Sequence, residues 1–169
     1  RYLLDGCGVA GGERCGGDCA AGAIEHVPPS RVDVSEAASQ GMPVLGICSG
    51  FHGLVEARLL PGGLVRNGHG LFLCRDQRLR GENTATAWTN LFDENEEITI
   101  PLKNGEGGYL ADAETVARLA GEGRVVVRYL GGNPNGSLND IAGITNEGRH
   151  VVGLLPPPGP AAREGSRPA

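Results

Sequence analysis

One cysteine of this chain sits where a nucleophile would: Cys48, in the run Gly46-Ile47-Cys48-Ser49-Gly50. Before it lies Pro43-Val44-Leu45-Gly46-Ile47, a compact apolar segment typical of a buried strand. After it, residues 50–57 carry apolar side chains at helical spacing and Pro61-Gly62-Gly63 ends the run. A Gly-x-nucleophile-x-Gly sequence between strand and helix predicts a nucleophile elbow, where small neighbours allow a strained turn that lifts the side chain above the sheet. The start of the helix favours thiolate over thiol, and the Ser49 amide can donate to a tetrahedral oxyanion. The competing reading is a cysteine packed on a tight strand-helix turn, the commoner fate of a lone Cys.

The elements that must position Cys48 follow from the rest of the chain. Residues 31–40 predict a helix; 71–80 and 96–102 alternate as strands, with a glycine-rich loop at 104–108. A helix over 112–121 is capped by Asp112 and stopped by Gly121. Strands recur at 124–130, 141–144 and 150–155, joined by Asn- and Gly-rich turns. This is an α/β chain with a hairpin-rich second half. From Pro156 onward the Pro-, Gly- and Ala-rich sequence has no apolar period, so 1–155 is expected to form one domain and 156–169 a disordered tail.

Composition removes several function classes. The chain has 169 residues, which suits one domain, and a net charge of -5 without a block of basic residues, so nucleic acid is not an expected partner. No run of 18 apolar residues and no charged-then-apolar leader is present, which predicts neither insertion nor export and leaves the cytoplasm as the expected location. The 5 cysteines, at positions 7, 15, 19, 48 and 74, are an odd count in a chain too large to need disulfide staples, so thiols are expected. Cys7, Cys15 and Cys19 lack a His or second Cys pair at zinc-like spacing, so no metal site is expected.

A longer context surrounds the elbow. The stretch GMPVLGICSGFHGLVEARLLPGGLVRN (41–67) resembles the glutaminase subunit of phosphoribosylformylglycinamidine synthase, a class I glutamine amidotransferase. The resemblance continues in order and spacing through Phe72-x-Cys74-Arg75, Thr89, Pro101-Leu102, Gly105-Glu106-Gly107-x-Tyr109, Arg128-Tyr129 and NPNGSLNDIAGITNE (133–147). It implies a flavodoxin-like fold of three layers, with a mostly parallel sheet and an antiparallel, hairpin-rich part. It also implies that the family's first βαβ unit is missing before Tyr2, which would expose an apolar sheet edge and make the chain poorly soluble or dependent on a partner.

The resemblance further implies that Cys48 attacks the side-chain amide of glutamine to form a glutamyl thioester. Ammonia then passes to a large synthetase subunit, which uses ATP and Mg²⁺ to convert formylglycinamide ribonucleotide to the amidine, with a small third subunit in the complex. No cofactor is expected in this chain itself. Backbone amides at Gly11, Gly12 and Ser49 would hold the oxyanion. His52 takes the place of a Gln that helps hold substrate, and Ser49 that of an Asn.

The family's His and Glu, which serve as base and orienting acid, stand in a Pro-His-Pro-Glu segment after an apolar strand. Here Val151-Val152-Gly153-Leu154-Leu155 leads into Pro156-Pro157-Pro158-Gly159, so Pro157 and Gly159 occupy those two positions. His52 lies one helical turn past Cys48, but the expectation there is a packing or surface residue, since no orienting carboxylate accompanies it. His69 and His150 read as loop and strand-end residues. The chain is therefore expected to have little or no glutaminase activity. The alternatives are a non-catalytic docking relative and, less favoured by the NPNGS and GEGxY segments, a lone-Cys hydrolase or redox protein of the same superfamily.

Overall fold

A computed structural model describes residues 2–5, as backbone, and 31–156. Pro156, where the tail was expected to begin, is buried; the rest of the expected tail and the Gly11-Gly12 loop, with Pro157 and Gly159, lie outside the described residues. The elements run β1 (Tyr2–Asp5), α1 (Arg31–Ser39), β2 (Val44–Ile47), α2 (Ser49–Glu56), β3 (Gly63–Val65), β4 (Leu73–Gly81), β5 (Glu97–Asn104), β6 (Gly108–Leu110), α3 (Ala113–Gly121), β7 (Val125–Leu130), β8 (Ile141–Thr145) and β9 (Val151–Leu154). Every predicted helix and strand is present, with ends moved by one or two residues. Asp112 caps α3 by accepting from the Thr115 amide at 2.8 Å, as its place before the apolar run predicts.

Among the described residues, 7 strands form one sheet in the order β1-β2-β9-β8-β7-β4-β5, and β3 pairs with β6 in a small second sheet. Pairing is parallel from β1 through β2 to β9 and antiparallel from β9 to β5. The antiparallel part is thus larger than the hairpin-rich portion expected, because β7, β8 and β9 follow one another with only short connections. Two reversals separate β7 from β9, so β7 again points the same way as β2. The carboxyl ends of β2, β9 and β7 therefore share one edge of the sheet, with the end of β5 and the start of β4.

Helices α1, α2 and α3 lie over one face. Val34 and Ala38 of α1, Phe51 and Leu54 of α2 and Leu119 of α3 join Val44, Val125, Ile144 and Val151 in one buried cluster. The other face buries Leu45, Ile47, Leu79, Ile100, Val127, Tyr129 and Val152. Alternation along β2 sends Val44 to the first cluster and Leu45 to the second, the period-two signature of a strand buried on both sides.

Helix α2 sits on glycine. Gly46 and Gly153 are register partners on β2 and β9. A Cβ on Gly153 would lie 2.2 Å from the Phe51 ring, and one on Gly46 would lie 2.6 Å from Leu54 and 2.7 Å from the Gly50 backbone. Phe51 and Leu54 are fully buried on this floor, each contributing about 1.5–3 kcal/mol by apolar burial. Tyr109 stacks on Phe51 with ring centroids 6.2 Å apart, and its hydroxyl donates to the Pro61 carbonyl at 2.9 Å. Burial pushes the Tyr109 hydroxyl up to about 12, against the opposing pull of Arg124. The GEGxY tyrosine thus clamps the helix that follows the cysteine.

Candidate active site

Cys48 closes β2 and opens α2 in a conformation that L residues rarely adopt, φ 54° and ψ -112°. Such a backbone costs on the order of 1–3 kcal/mol and persists only where its surroundings over-determine it. Two constraints are visible. The Cys48 amide donates to the Leu154 carbonyl at 2.8 Å, extending the parallel ladder one residue past β2. Its own carbonyl accepts from the His52 amide at 3.3 Å, the first bond of α2. The glycine floor lets the helix turn back over the strand at once. This is the elbow predicted from Gly46-x-Cys48-x-Gly50, and it leaves the thiol partly exposed at the carboxyl edge of the parallel strands, where open α/β sheets bind ligands.

The amides at the head of α2, Ser49 among them, belong to its first turn, at the positive end of the helix dipole. With the helix dipole they favour an anion beside Cys48, whether a thiolate or a tetrahedral oxyanion.

None of the described histidines forms a catalytic pair with Cys48. His52 is half-buried on α2, and among the described residues it forms no ion pair with a carboxylate that could orient it. His150 stands just before β9, at the opposite end of that strand from Cys48. Its ring meets the Ala38 carbonyl at 3.0 Å, and its amide donates to Asn146 at 3.1 Å, so it ties α1 to the sheet. His69 accepts from the Leu71 amide through Nδ1 at 3.0 Å. It therefore donates from Nε2 to the Pro134 carbonyl, also at 3.0 Å, and this fixes a neutral tautomer in a loop. Both are the loop and strand-end residues expected.

The same edge of the sheet carries a polar network whose roles the motifs did not reveal. Asn133 folds the NPNGS segment around its own side chain: Oδ1 accepts from the amides of Asn135, Gly136 and Ser137. The Asn135 carbonyl accepts from the Gly68 amide at 3.0 Å, and its Nδ2 donates to the Tyr129 hydroxyl at 2.9 Å. Asn67 binds the GEGxY loop, accepting from the Gly107 amide and donating to the Asn104 carbonyl, both at 3.0 Å. Gly107 must be glycine, since a Cβ there would lie 2.3 Å from Asn135 Nδ2 and 2.5 Å from Asn104 Nδ2. Glu106, by contrast, is exposed and pairs with Arg66 at 3.7 Å on the surface, an arrangement worth little to stability. The clustering of asparagine and glycine in two segments was the available signal; their convergence needed the fold.

A second network lies on β4 and β7. Glu82 accepts from Arg80 and Arg128, each at 2.7 Å. Burial raises its pKa, but the two guanidinium groups outweigh that and hold the carboxyl below its usual value. An apolar cleft of about 270 Å³ opens on the sheet face away from α2, lined by Leu45, Leu79, Trp88, Phe92, Val127 and Leu154 among others. It adjoins the elbow's strands, and Cys48 is not among the residues that line it. Among the described residues no group of three or more His, Cys, Asp or Glu could hold a metal ion, and no helix is long and apolar enough to cross a membrane.

Comparison with known proteins places this geometry. Residues 4–167 match the model of the CobB/CobQ-like glutamine amidotransferase domain. The chain is 54% identical over 165 residues to the phosphoribosylformylglycinamidine synthase subunit PurQ of Leifsonia xyli subsp. xyli, covering 98% of this chain and 71% of that protein. It is 53% identical over 155 residues to the subunit of the same name from Streptomyces coelicolor, covering 92% of this chain and 69% of that one. Among solved structures, that of PurLQS from Thermotoga maritima superposes with a TM-score of 0.66 at 38% identity, over 75% of this chain and 56% of that one. The chain thus spans about seven tenths of these curated relatives and little more than half of the solved chain.

Proposed function

We propose, from the premise that this chain belongs to the CobB/CobQ-like glutamine amidotransferases and within them to the PurQ-type subunits of phosphoribosylformylglycinamidine synthase, that Cys48 is the glutaminase nucleophile. The observation that carries this is the positive φ of Cys48 at the turn from β2 to α2, a strain that a merely structural cysteine would not need. In the reaction, Sγ attacks the side-chain carbonyl of glutamine, ammonia leaves, and water releases glutamate from the thioester. Oxyanion stabilisation falls to the Ser49 amide and, by the family resemblance, to Gly11 and Gly12. His52 lines the substrate side of α2.

The ammonia goes to a synthetase subunit that binds ATP and Mg²⁺, with a small third subunit completing the assembly; this chain brings no cofactor of its own. Support comes from the PurLQS structure that the chain resembles. The reaction belongs to the cytoplasm.

Pro157 and Gly159, where the family has its base and acid, favour a second reading, that of a subunit which docks but does not hydrolyse. Glutamate release by the chain, mixed with the synthetase subunit of a relative, separates the two. A slow release that Cys48→Ser abolishes supports the nucleophile; its rate should be at least about 100-fold below that of an intact triad. Release that survives Cys48→Ser rejects it, and a chain that co-purifies with the synthetase but releases nothing supports docking alone.

A further inference from the structure

Two buried amide side chains meet at the 105–108 loop with hydrogen-bonding capacity that the protein does not fill. Asn104 ends β5 and is 4% exposed; Asn135 belongs to the NPNGS turn and is 1% exposed. Gly107 shows that they converge, because a Cβ on it would lie 2.5 Å from Asn104 Nδ2 and 2.3 Å from Asn135 Nδ2. Of the two nitrogens, that of Asn135 is used, donating to the Tyr129 hydroxyl at 2.9 Å. Asn104 Nδ2, Asn104 Oδ1 and Asn135 Oδ1 are buried and have no protein partner among the described residues. Native interiors pair nearly all such atoms, with protein or with ordered water. The backbone around them is already committed: the Gly107 amide donates to Asn67 Oδ1 at 3.0 Å, the Asn104 carbonyl accepts from Asn67 Nδ2 at 3.0 Å, and the Asn135 carbonyl accepts from the Gly68 amide at 3.0 Å.

We propose that Asn104 and Asn135 bind an internal water molecule beside Gly107, which joins the GEGxY loop to the NPNGS turn. One amide nitrogen and two carbonyl oxygens stand open. Water accepts from the first and donates to the other two, so a single molecule matches the set. The set is neutral, with no carboxylate, imidazole or thiolate in it, which suits water over a metal cation. Gly107 keeps the site open, since any other residue there would press a carbon against both amides. The loop that the water closes leads into Tyr109, whose amide donates to Ser137 Oγ at 2.7 Å and whose ring stacks on Phe51 of α2. The joint therefore braces the helix that follows the elbow, and it stands whether or not Cys48 acts as a nucleophile.

A high-resolution crystal structure of the full chain should show one ordered water within about 2.7–3.2 Å of side-chain atoms of both Asn104 and Asn135. In solution, the side-chain amide protons of Asn104 should give a cross-relaxation peak with water whose sign marks a residence longer than molecular tumbling. Asn104→Leu removes the donor and one acceptor with little change in size. In that variant the water should be lost and hydrogen exchange at the Gly107 amide should quicken at least about tenfold, as the loop loses its tie, while exchange at the Thr115 amide in the α3 cap stays as it was. Direct bonding of the Asn104 and Asn135 amides to each other with no water between them overturns the proposal, as does the absence of the cross-relaxation peak. Both readings are taken on the unaltered chain, so they decide the matter even if Asn104→Leu does not fold. Unchanged Gly107 exchange in a folded Asn104→Leu overturns the joining role.

Discussion

Gly46→Ala is expected to cost about 3 kcal/mol and to disarm Cys48. The added methyl would lie 2.7 Å from both the carbonyl carbon and oxygen of Gly50. Backbone cannot rotate away as a side chain can, so α2 must lift from β2 at the turn that Cys48 occupies. Overpacking of this kind costs about 1–3 kcal/mol when side chains absorb it, and the upper end applies here. Gly153→Ala meets the Phe51 ring instead, at 2.2 Å, and a second substitution, Phe51→Ala, should relieve part of that clash, a coupling expected of direct neighbours. Gly53→Ala is the control: nothing lies within 4 Å of its Cβ position on α2, and replacing a helical glycine should stabilise by about 0.5–1 kcal/mol. Chemical denaturation of the three variants, with Cys48 alkylation measured alongside, checks the order. Equal stability for Gly46→Ala and Gly53→Ala would contradict the glycine floor.

Pro157→His with Gly159→Glu is expected to raise glutaminase turnover by a factor of about 100 or more. The pair restores Pro-His-Pro-Glu in the place where the family has it, and general acid–base catalysis contributes roughly 10²–10⁴-fold. The Cys48 amide bonds to the Leu154 carbonyl, so β9 passes directly beside the nucleophile. Each substitution alone should give much less, because base and orienting acid act as a unit. Glutamate release measured for the double variant, the two single variants and the double variant with Cys48→Ser decides it. Turnover that rises without needing Cys48 would place the chemistry elsewhere.

Much of this fold was legible because each element carried its own local signal. The apolar run at 43–47 became β2, and Asp112 marked the start of α3 by capping it. The elbow was legible from five residues, since only small neighbours permit such a turn. What sequence did not disclose was convergence. Asn104, Asn135 and Tyr129 are separated by up to 31 positions, and only the fold, which ends β7 and β5 at one edge of the sheet, brings them together around Gly107. The role of Gly153 was hidden for the same reason: nothing in Val151-Val152-Gly153-Leu154 says that an aromatic ring from another element lies on it. The extent of antiparallel pairing also exceeded expectation, because strand direction depends on partners that an alternating pattern does not name.

Site-specific capture of Cys48 by a chloroketone analogue of glutamine tests the central claim most directly. Such an electrophile needs a bound glutamine-like shape and a thiolate, and does not depend on the base that Pro157 replaces. A nucleophile at a glutamine site predicts one adduct, on Cys48, that forms slowly and is suppressed by free glutamine. Labelling that falls on exposed Cys74 instead, or that reaches Cys48 at a rate glutamine does not alter, would contradict it.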